Sequence, residues 1–412
     1  MESVLDNYAF AFIVEDIFSY LNCHELSICR MVCKSWKDLI DNYRLWWLWK
    51  MRKIRSDSIR FPIWKEAFDY FESVKNVYKI QEFVAICESI RTQNLRKGPI
   101  YLAAENGHLN LLRLLLPSAL DFDNSLESKT PFIIACRNGK NQIVEFLLNQ
   151  NQKRINYNAT DNIGNSAFMN ACKYGNIEVI QTLMRFSESK GIKLNTANHN
   201  GRTALHIACM IESNSTEGTI YLLQNLKFTL IDINATDHRG WTAFHFACKI
   251  GKLDVVEEFL SKEKLDLDFD LPLPDGRTPF HLACIEGHEK IVQLFLNHPN
   301  IDLNARDHKG CTPFHYACRT GQIDIVDILA ANPDLIDVNA ADNEGTTALH
   351  CACTLGDQDM VELLLNKSEE IGLNVQAKNS HGYTAFELAQ IYMKIWRLKG
   401  NTKVLKLFHC EP

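Results

Sequence analysis

The sequence predicts an all-α solenoid with short β-hairpin turns, preceded by a small module of three helices. Three observations carry this reading. A motif of the form Thr-(Pro/Ala)-x-His-x-Ala-Cys, or a near relative, begins at Thr130, Ser166, Thr203, Thr242, Thr278, Thr312 and Thr347, with a shortened copy at Thr384. The instances return every 34 to 39 residues, and a unit of that size must stack on copies of itself to bury its apolar face. Ahead of them, Leu26, Cys29, Cys33, Trp36 and Ile40 fall at steps of three and four, which puts them on one helical face.

Each repeat codes its turn and its helix start together. In Asp307-His-Lys-Gly310-Cys-Thr312-Pro313-Phe-His315-Tyr-Ala317-Cys318, Gly310 suits a tight turn that needs a positive backbone angle. Thr312 suits an N-cap, and Pro313 suits the first helical position, where no amide hydrogen is required. The small Ala317 and Cys318 let a neighbouring helix approach, Gly321 ends the first helix, and Ile323, Val326 and Leu329 give the second an apolar face. Cys136, Cys172, Cys209, Cys248, Cys284, Cys318 and Cys353 share one register, so they read as buried helix residues in a reducing compartment. The Thr203 unit has two residues more between Cys209 and Leu223 than the next unit has between Cys248 and Leu260, which predicts a bulge at its helix–helix turn.

This pattern resembles the ankyrin repeat. The likeness runs from about Gly98 to Leu407, with a weaker first copy from Gly98 to His108 and a closing unit in which Glu387 replaces the histidine. The basic residues after it, Lys394 to Lys406, suit a solvated end cap. Upstream, Ile17-Phe18, Leu21, Leu26, Val32-Cys33, Trp36 and Leu45-Trp46 resemble in order and spacing the F-box, the segment through which substrate receptors dock on the Skp-type adaptor of cullin-RING ubiquitin ligases. Ala9 to Ile13 stand where that family usually opens with Leu-Pro. The resulting organisation is an F-box-like domain at 1–50, a helical linker at 51–97, and an ankyrin domain at 98–412 of about eight repeats with a degenerate C-terminal cap.

The chain has 412 residues, 44 basic and 50 acidic, for a net charge of -6. Residues 1–97 are nearly balanced, and the acidic excess lies beyond them. Neither part is basic enough to point to nucleic acid. Glu2 and Asp6 argue against a secretory signal, and no segment is apolar over the roughly 18 residues that span a bilayer. The expected location is cytoplasmic, with the nucleus also open to it.

Catalytic and metal chemistry are not expected, and no cofactor is called for. His206, His245, His281, His315 and His350 occupy one repeat register. Packed helices hold such positions about 8–10 Å apart, whereas the ligands of one zinc lie about 2 Å from it. An imidazole bonding within its own turn is the expectation. Phosphate-binding loops and nucleophile elbows are absent from the sequence.

The ankyrin resemblance implies that turn tips and exposed first-helix ends grip a partner. On this sequence the binding positions are Arg202, Arg239, Trp241, Lys249, Arg277, Lys309, Arg319 and Tyr383. Their basic character points to a protein partner with an acidic segment. The F-box resemblance implies a Skp-type adaptor and cullin complex as further partners, with Ile17, Phe18, Leu21, Leu26, Val32, Cys33, Trp36, Leu45 and Trp46 in contact with the adaptor. The function so implied is substrate recognition for a ubiquitin ligase without chemistry in this chain. The alternative is an interaction scaffold whose N-terminal helices only cap the solenoid.

Overall fold

A computed structural model describes residues 99–109, 112–113, 116, 130–150, 155–211, 216–225, 231–261, 267–396 and 407–408. The F-box-like stretch, the linker, residues 212–215 of the turn from Glu212 to Glu217 where the bulge is expected, and the basic C-terminal residues beyond Lys394 lie outside these. The chain divides into two compact units, Met1–Lys193 and Leu194–Pro412.

In the first unit, α1 (Pro99–Asn106), α2 (Pro131–Arg137) and α4 (Ala167–Lys173) pack side by side, and α3 (Asn141–Asn149) lies against α5 (Ile177–Lys190). Thr130 and Ser166 cap α2 and α4 through their side-chain oxygens, satisfying amides that a helix start leaves unpaired. Asn176 reaches back to donate to the carbonyls of Cys136 and Arg137 at 2.9 and 2.8 Å.

The second unit repeats this plan. Its inner row is α6 (Ala204–Met210), α8 (Ala243–Ile250), α10 (Pro279–Glu286), α12 (Pro313–Thr320), α14 (Ala348–Leu355) and α16 (Ala385–Trp396). Behind it run α7 (Glu217–Gln224), α9 (Leu253–Leu260), α11 (Glu289–Leu296), α13 (Ile323–Ala330) and α15 (Gln358–Asn366). Between them sits an apolar seam in which Phe244, Phe259, Phe280 and Phe295 are fully buried. Their rings meet at 5.3 Å (Phe244–Phe259), 5.9 Å (Phe244–Phe295) and 5.6 Å (Phe280–Phe295), tilted or edge-on as aromatic pairs prefer.

Turn and cap chemistry follow the sequence closely. Gly310 has φ +77° and Gly321 has φ +76°, and the Gly321 amide donates to the Ala317 carbonyl to close α12. The predicted hairpins are reduced: among the described residues no strand forms, and the antiparallel pairing consists of single bridges at Thr160–Ser166, Ala341–Thr347 and Lys378–Thr384. The register cysteines Cys136, Cys172, Cys209, Cys248, Cys284, Cys318 and Cys353 are buried and unbridged.

Candidate functional site

The expected surface is built from hairpin tips and from the first-helix ends beside them. An acidic or amide residue three positions before the turn glycine shapes every described tip except the one at Gly276. Asp307 Oδ1 accepts the amides of Lys309 and Cys311 at 2.9 and 2.8 Å, and Asp237 and Asp342 do the same in their repeats. These side chains hold the loop in the turn that its backbone needs.

Tips of successive repeats are also tied to one another. His238 donates its amide to the Asn200 carbonyl at 3.0 Å, His308 to Asp275 at 3.0 Å, Asn343 to Lys309 at 2.9 Å and Ser380 to Glu344 at 2.8 Å. Deeper in, each motif histidine caps its own helix, and four of the five also reach the next repeat. With its threonine each forms a capping box, in which the imidazole accepts at the N-cap and the threonine oxygen accepts from the third helical amide. Through Nε2, His206, His281, His315 and His350 also meet the carbonyls of Trp241, Cys311, Thr346 and Tyr383 in the following repeat, at 2.9, 3.1, 2.9 and 3.0 Å. The expectation of bonding within the turn was therefore half of the role; the other half is a tie between repeats. Burial is the first cause that lowers these imidazoles' pKa, to about 4 for His245 and His281, so they are neutral. Among the described residues no group of three side chains could hold a metal ion.

The eight expected binding residues fall into two groups. Arg202 is committed inward: its Nε donates to Asp237 Oδ2 at 3.2 Å, Asp237 being 1% exposed, and its guanidinium stacks on Phe246. Arg277 is matched by Asp275 of its own hairpin at 2.6 Å. Arg319 lies over Tyr316 and donates to Cys311 Sγ at 3.2 Å, while the Tyr316 hydroxyl donates to Asp307 at 2.7 Å. These three arginines brace the repeat edges.

The other group faces outward. Arg239, Lys249 and Lys309 are exposed, and among the described residues none of them makes an ion pair. Lys249 Nζ sits 5.3 Å above the Trp241 ring, which packs on Phe246 at 5.0 Å. Tyr383 is 42% exposed. Arg239, Trp241 and Lys249 thus share one repeat as a cationic and aromatic patch. The tips beyond it alternate in sign, with Asp275, Lys309 and Glu344 all exposed. The nine adaptor-contact residues expected between Ile17 and Trp46 lie outside the described residues.

The sequence reading missed the ties between repeats. The recurrence of Asp161, Asn198, Asp237, Asp307, Asp342 and Asn379 at one register was the available signal for the tip-shaping role.

Comparison with known families gives two matches. The model of ankyrin repeats in three copies matches residues 72–161, 154–237, 211–307, 265–342, 302–379 and 334–407, most of the chain. The F-box domain model matches residues 12–48. The chain is an ankyrin-repeat protein with an F-box domain. A curated relative, "Probable E3 ubiquitin-protein ligase XBOS32" of Oryza sativa subsp. japonica, is 33% identical to this ankyrin-repeat protein over 111 residues. The match covers 26% of this chain and only 21% of the rice protein. Among solved structures, the ankyrin repeat domain of Bcl-3, described as a unique member of the IkappaB protein family, is 24% identical. It aligns with a TM-score of 0.48, over 60% of this chain and 99% of that one. F-box domains in general bind Skp-type adaptors, and ankyrin repeats in general bind proteins. Among the described residues no helix of this F-box protein is long and apolar enough to cross a membrane.

Proposed function

We propose that this chain is the non-catalytic substrate-recognition subunit of an SCF-type cullin-RING ubiquitin ligase. The observation that carries the reading is an F-box at residues 12–48 ahead of ankyrin repeats that reach residue 407. In this arrangement Ile17, Phe18, Leu21, Leu26, Val32, Cys33, Trp36, Leu45 and Trp46 contact the Skp-type adaptor, and the cullin joins through that adaptor. The repeats hold the substrate while a separate conjugating enzyme transfers ubiquitin, so the chain contributes proximity and not chemistry.

The substrate surface is centred on Arg239, Trp241 and Lys249. Two cations that make no ion pair among the described residues, beside a half-buried tryptophan, suit a short acidic segment with an apolar neighbour, since aromatic and arginine side chains dominate interface energetics. Asp275 and Glu344 would repel a longer acidic run along the tips. That favours a short segment over an extended one.

Purified full-length chain should co-elute with a purified Skp-type adaptor, and Leu21→Ala combined with Trp36→Ala should abolish co-elution while the repeats keep their circular dichroism. Wild-type chain that does not co-elute, or a folded double variant that still does, would overturn the ligase reading and leave the scaffold alternative. For the substrate surface, proteins co-purified by wild type and lost with Arg239→Glu and Lys249→Glu should share an acidic segment. A substrate whose capture ignores both changes would place binding elsewhere.

A further inference from the structure

Five junctions join the repeats that begin at Thr203, Thr242, Thr278, Thr312, Thr347 and Thr384, and four of them are built alike. Each of those four has an amide-to-carbonyl bond between hairpin tips and a histidine Nε2 bonded to the next repeat. At the junction between the Thr242 and Thr278 repeats both are missing. The tip residue that would donate to the Arg239 carbonyl is Pro274, which has no amide hydrogen. Among the described residues His245, fully buried, has no hydrogen-bond partner at Nε2. The Leu271 carbonyl acts on its ring without meeting hydrogen-bond geometry.

A local sequence change accompanies both losses. The hairpin reads Leu271-Pro-Leu273-Pro274-Asp275-Gly276-Arg277, and Leu273 takes the register that Asp237, Asp307 and Asp342 hold in other repeats. A leucine cannot accept the two tip amides, so it is tucked into the core at 3% exposure, and Asp275 takes over the Arg277 amide at 3.1 Å. In place of a directional bond between the tips, the Pro274 ring lies against Gly240, close enough that a Cβ there would be 2.8 Å from Pro274 Cδ. Dispersion contacts of this kind permit sliding that a hydrogen bond resists.

The inner side of the same junction is intact. His288 Nε2 bonds the Lys249 carbonyl at 2.9 Å, the Asp268 amide donates to Asn234 at 3.3 Å, and Phe244 meets Phe295 at 5.9 Å. We infer that this junction is a compliant joint: the Pro274 edge opens and closes on Arg239 and Gly240, pivoting on the aromatic seam, while the other four junctions stay closed. Hinges need a few positions that give way between bodies that do not. The joint borders Arg239, so its opening changes the spacing between the Arg239–Trp241–Lys249 patch and Lys309 on the far side. This inference stands independently of the ligase reading.

Native-state hydrogen exchange of the full chain, read by mass spectrometry, tests it. Peptides covering 267–277 should exchange at least tenfold faster than those covering 302–311 and 337–346. Pro274→Ala returns an amide to the register, and Pro274 is exposed, so the change should leave the fold intact. It should slow exchange at the neighbouring amides severalfold, although replacing proline by itself loosens a chain. Equal protection of the three hairpins in wild type, or unchanged exchange in Pro274→Ala, would overturn the inference.

Discussion

His315 and Thr346 are joined across a repeat boundary: the imidazole Nε2 donates to the Thr346 carbonyl at 2.9 Å, while Nδ1 accepts the Thr312 amide at 3.1 Å. The carbonyl on one side and the amide on the other fix the tautomer as Nε2–H. One side chain thereby caps its own helix and holds the next repeat.

Loss of that double role has a measurable cost. His315→Leu should destabilise the second unit by about 1–3 kcal/mol, since it strips a cap and leaves a buried carbonyl short of a donor. His245→Leu should cost less, because its Nε2 has no partner to lose among the described residues. Urea unfolding followed by circular dichroism compares the two, and equal losses would contradict the assignment of the cross-repeat bond as stabilising.

The same histidines make stability fall with acid. Unfolded histidine takes a proton as pH falls through about 6.5, whereas folded His245 and His281 resist until about 4, first through burial. Burial lowers the others in the row as well. Between those values the unfolded chain binds more protons, so stability drops as pH falls from about 6.5 and the loss is complete below the folded pKa. For His245 and His281 it is on the order of 3 kcal/mol each. A urea midpoint that stays level from pH 7 to pH 5 would refute this.

Arginines of the two groups should separate in assay. Arg202→Ala removes the cation opposite a buried Asp237 and should lower stability by about 1–2 kcal/mol. Arg239→Ala should leave the melting temperature within about a degree, as exposed substitutions usually do, and weaken only partner capture. A large stability loss for Arg239→Ala would mean that its side chain braces the fold.

Glycines at positive φ should differ according to what covers them. Gly191→Ala, at φ +64° with nothing within 4 Å of the added Cβ, should cost about 1 kcal/mol from backbone strain alone. Gly310→Ala should cost clearly more, because the Cβ would lie 2.8 Å from the Asn343 amide nitrogen. Thermal melts of both variants decide it, and similar shifts would show that the hairpins yield easily.

Thiol labelling checks the packing of the helices. Burial pushes Cys209 up to about 12 and raises the other register cysteines as well, and a protonated, covered thiol does not react. In native protein at neutral pH, peptide mapping after brief iodoacetamide treatment should find these residues unmodified, with rapid labelling in urea. Native labelling of Cys248 or Cys284 would contradict the tight inner row.

The sequence alone determined the repeat, its helix starts and its buried cysteines. These follow from local chemistry: a threonine caps, a proline begins, a glycine adopts positive φ, and each acts within four residues of its own position. The F-box assignment was equally legible, through spacing along one segment. What Arg202 does was decided only by the tertiary structure, because Arg202 looks like Arg239 until its neighbours are present. Asp237 stands 35 residues from Arg202, and the Trp241 carbonyl stands 35 from His206. Stacking brings such groups within hydrogen-bond distance, and no periodicity within a repeat reports on a bond made between repeats.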